Sequence, residues 1–292
     1  MGGIMEAKPV LGVIGGSGLY AMQGLEAVET RELETPFGVP SSPVILGDLN
    51  GKRIAFIARH GLGHLLSPSE VNYRANIYAL KMLGVERILS VSACGSLRED
   101  YVPGEIVVPD QLFDHTRNRK RTFFEDGLVA HVSVADPFCS DLNQRIAESV
   151  EQADGTVHRG GTFITIEGPR FSTRAESNTY RAWNMSIIGM TTSPEAFLAR
   201  EAELCYGVMA HVTDYDVWHV SEEPVSVEMV IRTLRANTEL AQQAIANLVG
   251  SLPAERACEC GSALEFAIIT QPDRVSKATR ERLALLVGRY LP

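Results

Sequence analysis

Two carboxylates one residue apart, Asp214 and Asp216 in Thr213-Asp214-Tyr215-Asp216, follow an apolar run from Tyr206 to Val212 that reads as a buried strand. Ligands of open α/β sheets sit beyond the carboxyl ends of strands. Two acids at such a place suit either a solvated turn or a site for a basic, hydrogen-bond-donating group. Three further loops of small residues also fall at strand ends. Val10 to Ile14 runs into Gly15-Gly16-Ser17-Gly18, where glycines can turn backbone N–H groups toward an anion and Ser17 adds a hydroxyl. Arg53 to Ala58 ends in Arg59-His60-Gly61, a cationic pair suited to an oxyanion. Arg87 to Ala93 opens into Ala93-Cys94-Gly95-Ser96-Leu97, with Ser92 and the Ala93 backbone as donors. Taken together, these loops imply convergence on one anion. Gly16-x-Gly18-x-x-Ala21 also fits the loose dinucleotide fingerprint, but the acids from Glu29 to Glu34 single out no ribose partner.

The elements that would carry these groups alternate between strand and helix, which predicts an α/β fold. Asn50-Gly51 marks a hairpin between Pro43 to Gly47 and Arg53 to Ala58. Helices are expected over Val71 to Leu83, closed by Gly84, and over Phe138 to Ala153 as a surface helix. Thr173-x-x-Glu176 is a capping box. Ser193 as cap and Pro194 at the first helical position start a helix through Leu204. Val225 to Leu248 reads as one long amphipathic helix, and Lys277 to Tyr290 as a last one. The basic segment from Arg117 to Arg121 is expected to be a solvated loop, and His131, a lone histidine, to be structural. Beyond residue 250 the character changes, and 251–292 reads as a tail, opening on a linker, that packs or makes an oligomer contact.

The chain has 292 residues, 45% hydrophobic and 22% charged, an ordinary globular composition able to bury its own core. A net charge of −9 argues against a general nucleic-acid binder. No apolar run is long enough to span a bilayer and Met1 to Pro9 lacks the apolar core of a signal peptide, which predicts a cytoplasmic protein. Cys94, Cys139 and Cys205 lie among apolar residues and read as buried thiols. Cys258-Glu259-Cys260 has no further Cys or His near it in sequence, too sparse for zinc. It could be a redox pair, a strained disulfide or a chance feature. No metal centre and no cofactor are predicted.

Val13-Ile14-Gly15-Gly16-Ser17-Gly18, Arg59-His60-Gly61, Asn72-Tyr73-Arg74-Ala75-Asn76, Ala93-Cys94-Gly95-Ser96-Leu97, Glu167-Gly168-Pro169-Arg170-Phe171, Gly189-Met190-Thr191 and Thr213-Asp214-Tyr215-Asp216 resemble, in order, the motif set of the methylthioadenosine phosphorylases, within the trimeric purine nucleoside phosphorylase family. The resemblance covers about residues 9–250. It implies a nucleoside phosphorylase-like α/β domain over 1–250, with a central mixed, twisted, distorted barrel-like sheet flanked by helices, and a C-terminal extension over 251–292. It implies phosphorolysis of S-methyl-5'-thioadenosine to adenine and 5-methylthioribose 1-phosphate, with inorganic phosphate as co-substrate. A purine nucleoside phosphorylase acting on adenosine or inosine is the alternative, and a nucleotide-binding module without phosphorolysis the runner-up from another class. Carried residue by residue, Ser17, Arg59, His60, Ser92, Ala93 and Thr191 would bind phosphate, and Met190 the ribose. Phe171 and Ile166 would pack on the base, with Asp214 and Asp216 as the catalytic, base-recognising pair and Asp214 as the acid. Val227, Val230 and Ile231 would line the methylthio end, with His131 arriving from a neighbouring subunit of a homotrimer or a hexamer built as a dimer of trimers. The CxC tail resembles thermophilic, archaeal-type members and implies disulfides Cys258–Cys260 and Cys139–Cys205.

Overall fold

Every residue of the strand that leads to the two acids is buried, from Cys205 to Asp214, as expected of a strand covered on both faces. The computed structural model describes residues 7–16, 18–19, 22–220 and 225–291, with the backbone alone at 234–236. Among these, eleven strands form one mixed sheet. Its centre is parallel: β4 (Lys52–Ala58), β1 (Leu11–Gly15), β5 (Arg87–Ser96) and β11 (Cys205–Asp214) lie side by side in that order. Their carboxyl ends therefore share one rim, where the loops opening at Gly16, Arg59, Ser96 and Asp214 start. β10 (Ile187–Gly189) brings Thr191 in from the opposite direction, because it pairs antiparallel with the last residues of β5 at Gly95 and Ser96. The sheet forks at β5. One branch continues through β10 to β9 (Thr162–Ile166) and β7 (Gln111–His115); the other passes through β11 to β6 (Ile106–Val108) and β8 (Val157–Arg159). The antiparallel hairpin of β3 (Val44–Leu49) and β4 turns at Asn50 and Gly51, both at positive φ, and β2 (Glu26–Arg31) forms the outer edge.

The two faces of the central strands separate with period two. Leu11, Val13, Ile54, Phe56, Leu89 and Met209 pack with α2 (Ser140–Glu151) and α6 (Thr238–Ser251). Ile14, Ala55, Ile57, Ile88, Val208 and Val212 pack with α1 (Tyr73–Met82), α4 (Thr192–Glu201) and α7 (Lys277–Val287). Helices thus cover both faces and leave the strand-end rim for chemistry. The polar start of α1 is accounted for. Asn72 accepts from the Ala75 N–H at 3.2 Å as the helix cap, and the fully buried Asn76 ties down Ser41 through backbone and hydroxyl. The capping box of α3 (Arg174–Ala182) has both halves in place.

Two expectations need correction. The long helix after the acids is two, α5 (Val227–Ala236) and α6, because Asn237 leaves helical geometry (φ −91°, ψ 1°) and its side chain donates to the Gly104 carbonyl at 3.2 Å. Ser193 has extended φ/ψ where a cap belongs, yet its hydroxyl makes no capping bond. α2 has the mixed pattern expected of a surface helix, with Leu142, Ile146, Ala147 and Val150 buried on its inner side and Ser140, Gln144 and Glu151 exposed. The packing expected of the tail is present: Leu264, Val275, Leu283, Leu286 and Val287 belong to the main core.

Candidate active site

At the end of β11 the chain leaves the sheet through a register shift between Val212 and Asp214, which turns both acids against β5 at Gly95. Asp214 and Asp216 are 4% and 5% exposed. The Thr213 hydroxyl donates to one Asp214 oxygen at 2.6 Å and the Asp216 N–H to the other at 2.8 Å, fixing the carboxyl plane. Burial raises the Asp214 pKa to about 6; these two hydrogen bonds oppose the rise and the neighbouring Asp216 adds to it. Asp216 is raised as well, again by burial, with the Ser177 and Ser172 hydroxyls pulling the other way. Those hydroxyls lie near enough to act on its charge, yet Asp216 Oδ2, Ser172 Oγ and Ser177 Oγ are all buried without a hydrogen-bond partner within bonding distance. Such atoms need a polar ligand or water. Gly95 makes the close approach possible: a Cβ there would sit 2.9 Å from Asp214 Oδ1, 3.1 Å from Ile188 Cγ2 and 3.3 Å from Asp216 Cβ. Leu97, Ile164, Ile166, Tyr180 and Ile188 form an apolar cluster on this side, with Met190 and Trp218 packed on it. Phe171 is half-buried in the loop that follows β9.

The anion-seeking groups lie along the same rim. Gly16 follows β1, and Ser17 lies outside the described residues. Ser92 is buried with its hydroxyl unpartnered, and Ala93 beside it is half-buried. Gly189 passes close to the Ala93 carbonyl, 3.4 Å from where its Cβ would be, so the chain from Met190 to Thr191 runs back along β5 toward Ser92. The half-buried His60 faces the Leu66 carbonyl through Nδ1 at 2.9 Å. A carbonyl only accepts, so Nδ1 carries the proton and Nε2 of the neutral ring is an acceptor. Burial, then the adjacent Arg59 charge, lowers the His60 pKa to about 4.

Arg59 is not the free cation that its place at a strand end predicts. It is 3% exposed and pairs bidentately with the fully buried Glu195 of α4, at 2.9 and 3.0 Å. Its Nη atoms also donate to the Val91 and Ile14 carbonyls and the Ser90 hydroxyl. One Nη1 hydrogen is left uncommitted. Burial works against the charge, but Glu195 more than offsets it and holds the guanidinium protonated.

Reading residue types alone missed two groups. Arg119, expected in solvent, has a side chain only 1% exposed. It donates to the Met190 and Ser193 carbonyls at 2.6 Å each, to the Glu167 carbonyl at 2.8 Å and to the Tyr73 hydroxyl at 3.2 Å, so one guanidinium gathers the loops after β9 and β10. Glu195 was equally unmarked. Nothing in the run Arg-Asn-Arg-Lys-Arg distinguishes the arginine that turns inward, because its acceptors are backbone carbonyls more than forty residues away in sequence. Other expected site residues are not assembled by the single chain. His131 is exposed and lines a surface cavity of about 290 Å³ with Arg121, Val132, Val134, Phe197 and Glu201. Val227 and Ile231 of α5 are 63% and 45% exposed, and Val230 is half-buried. Nor is the CxC pair isolated, since folding brings Cys139 and Cys205 to it and all five cysteines are free thiols. No helix among the described residues is long and apolar enough to cross a membrane.

Residues 10–250 match the family model of the phosphorylase superfamily. An S-methyl-5'-thioadenosine phosphorylase of Geobacter sulfurreducens is 55% identical over 285 residues, covering 97% of this chain and all of that one. The enzyme of the same name from Hyperthermus butylicus is 53% identical, covering 90% of this chain and 97% of its own. Among solved structures, a methylthioadenosine phosphorylase from an antarctic soil metagenomic library superposes with a TM-score of 0.92 at 48% identity, over 96% of this chain and 99% of that one. The Schistosoma mansoni methylthioadenosine phosphorylase in complex with adenine gives 0.82 at 36% identity, over 97% and 98%.

Proposed function

The chain belongs to the phosphorylase superfamily, and from that premise we infer that it catalyses phosphorolysis of S-methyl-5'-thioadenosine, a pentosyl transfer from adenine to phosphate that serves salvage. A phosphate oxygen bonds to the anomeric carbon, the bond from that carbon to N9 breaks, and adenine leaves after gaining a proton at N7. The observation that carries the reading is the buried acid pair, Asp214 and Asp216, at a strand-end rim that also collects unpartnered hydroxyls. The names of relatives at about half identity over nearly the whole chain favour methylthioadenosine over the adenosine or inosine alternative.

The geometry supports the following residue roles. Breaking the N-glycosidic bond builds oxocarbenium character on the sugar, and a purine anion is a poor leaving group. Asp214, with its raised pKa and fixed carboxyl plane, protonates N7. Asp216, with Oδ2 unpartnered, accepts from the 6-amino group. Phosphate rests on Ser92, Ala93, Thr191 and His60, with Ser17 and the remaining Nη1 hydrogen of Arg59 completing the set. Because Glu195 neutralises Arg59 and His60 is neutral, the dianion is held largely by dipoles. Its charge stays available to the oxocarbenium face of the sugar. Ile166, Phe171 and Met190 provide the apolar wall for base and ribose.

We assign the methylthio end to an oligomer, a homotrimer or a dimer of trimers, in which a second copy brings His131 over the exposed Val227 and Ile231. Mixing subunits of the inactive variants Asp214→Ala and His131→Ala then restores activity through hybrid sites; no recovery after verified subunit exchange removes the shared pocket. The protein acts in the cytoplasm, a setting suited to a chain whose five cysteines are all unbridged.

The test of function is adenine release from methylthioadenosine with and without phosphate. Release independent of phosphate, or none at all, overturns the reading. In Asp214→Asn, the amide also offers a donor to a 6-oxopurine, so preference shifts toward inosine while methylthioadenosine turnover falls. Full retention of that turnover removes Asp214 as the acid.

A further inference from the structure

Four sulfurs meet where the C-terminal extension crosses the core. Cys139 stands at the start of α2, Cys205 opens β11, and Cys258 and Cys260 flank Glu259 at a short helical turn, Glu259–Ser262. Cys139, Cys205 and Cys260 are buried and Cys258 is half-buried. All four sulfurs lie within 4.8 Å of one another, and those of Cys205 and Cys258 are 3.3 Å apart. Three separate stretches of chain thus deliver thiols to one point, which neither sequence spacing nor the phosphorolysis chemistry requires.

The spacing fits a tetrahedral metal. A zinc–sulfur bond of about 2.3 Å places ligand sulfurs roughly 3.8 Å apart, within the observed range, whereas a disulfide bond needs about 2.0 Å. Four thiolates around a dication leave two negative charges, and two guanidiniums stand against the cluster. Arg200 Nη1 donates to Cys260 Sγ at 3.4 Å, and Arg256 acts on the sulfurs of Cys205 and Cys258. The Leu142 N–H in the first turn of α2 faces the Cys139 sulfur. Donors of this kind orient thiolate ligands and offset their charge. Arg256 is itself anchored by Glu86 and the Glu203 carbonyl.

We propose that Cys139, Cys205, Cys258 and Cys260 form a tetrathiolate zinc site. With four protein ligands it is closed and structural, and soft thiolates favour zinc over the harder cations. Its position sets its role, which is to pin residues 258–260 to α2 and β11, at the head of a tail that supplies core residues from Leu264 to Leu291 and backs the His131 segment. The His131 N–H donates to the Ala267 carbonyl at 2.8 Å, and Ala130 bridges Ile268.

The test uses the intact protein, purified under reducing conditions, incubated with zinc and desalted. Metal analysis should find about one zinc per chain, and cobalt(II) in its place should give the intense thiolate charge-transfer and ligand-field bands of a tetrahedral sulfur site. Cys258→Ser and Cys260→Ser should each lose the stoichiometric metal, and chelation should lower the melting temperature of the wild type but not of these variants. Three results overturn the proposal: no stoichiometric zinc or cobalt on the reduced protein, metal retained by both variants, or a single alkylatable thiol in the denatured, unreduced protein, which would mean two disulfides in place of the metal.

Discussion

Replacing Gly95 by alanine tests how the acid pair is held. The added methyl would lie 2.9 Å from Asp214 Oδ1, 3.1 Å from Ile188 Cγ2 and 3.3 Å from Asp216 Cβ. Ordinary contacts begin near 3.4 Å, so Asp214 must retreat by about half an ångström, the tolerance within which a catalytic group works. Asp214 cannot retreat alone, because Thr213 and the Asp216 amide hold its two oxygens. Misplacement by about 1 Å costs on the order of a hundredfold in rate, so a shift of half that should lower kcat/KM for methylthioadenosine by roughly ten- to a hundredfold, about 1.4 to 2.7 kcal/mol. Overpacking should destabilise the fold by only about 1 to 3 kcal/mol, so the variant remains folded. The assay pairs initial rates of adenine release with thermal unfolding. A folded Gly95→Ala enzyme within threefold of wild-type kcat/KM would refute the idea that these carboxyl positions govern the reaction.

If Asp214 is the acid, log kcat/KM should fall above an apparent pKa near 6 or higher, and Asp214→Asn should abolish that limb; the value belongs to the coupled pair. The same raised pKa makes the protonated native state the more stable one, so this group destabilises progressively as pH rises from about 4 to 6, by roughly 3 kcal/mol at most. Asp214→Asn should flatten that part of the stability profile, measurable by denaturant midpoints. Arg119→Ala should leave several buried carbonyls unsatisfied, destabilise by about 3 to 5 kcal/mol and raise KM for both substrates; Arg119→Lys should not restore KM, since one ammonium cannot span the Met190, Ser193 and Glu167 carbonyls. An Arg119→Ala protein with wild-type KM and melting temperature contradicts its loop-gathering role. His211 is buried with both ring nitrogens unpartnered, and burial lowers its pKa to about 4. Its neutral form stabilises above the ordinary histidine pKa, and that contribution is lost as pH falls from about 6.5 to 4. His211→Leu should move the acid-unfolding midpoint to lower pH; an unchanged midpoint sinks the assignment.

How much of this was legible in the sequence depends on the range over which each signal acts. Strands and helix caps are local, and Asn50-Gly51, the Thr173 box and the apolar run before Asp214 fell where their own chemistry puts them. The acid pair could be located, but not its burial, because Gly95 matters only once β5 and β11 are in register. The broken helix at Asn237 was hidden for the same reason, since the bond that rewards the break goes to Gly104, more than a hundred residues earlier in the chain. The cysteines show the limit most clearly: Cys258 and Cys260 looked sparse because their companions, Cys139 and Cys205, are neighbours only in the fold.

A strand-end arginine beside a histidine, as Arg59 and His60 are, reads as an anion clamp, and a clamp with full positive charge would bind phosphate tightly. The fold instead pairs that arginine with a buried glutamate and keeps the histidine neutral. Binding energy from an unpaired cation would be present equally before and during bond cleavage and would not raise the rate. A cation beside the sugar would also oppose the positive charge that cleavage creates there. Neutralising Arg59 removes that opposition while leaving its scaffold bonds to Val91, Ile14 and Ser90 to fix the ends of β1 and β5. The charge of Arg59 is committed to the scaffold, and on the proposed function phosphate recognition passes to hydroxyls and backbone dipoles whose count no residue-type pattern reveals.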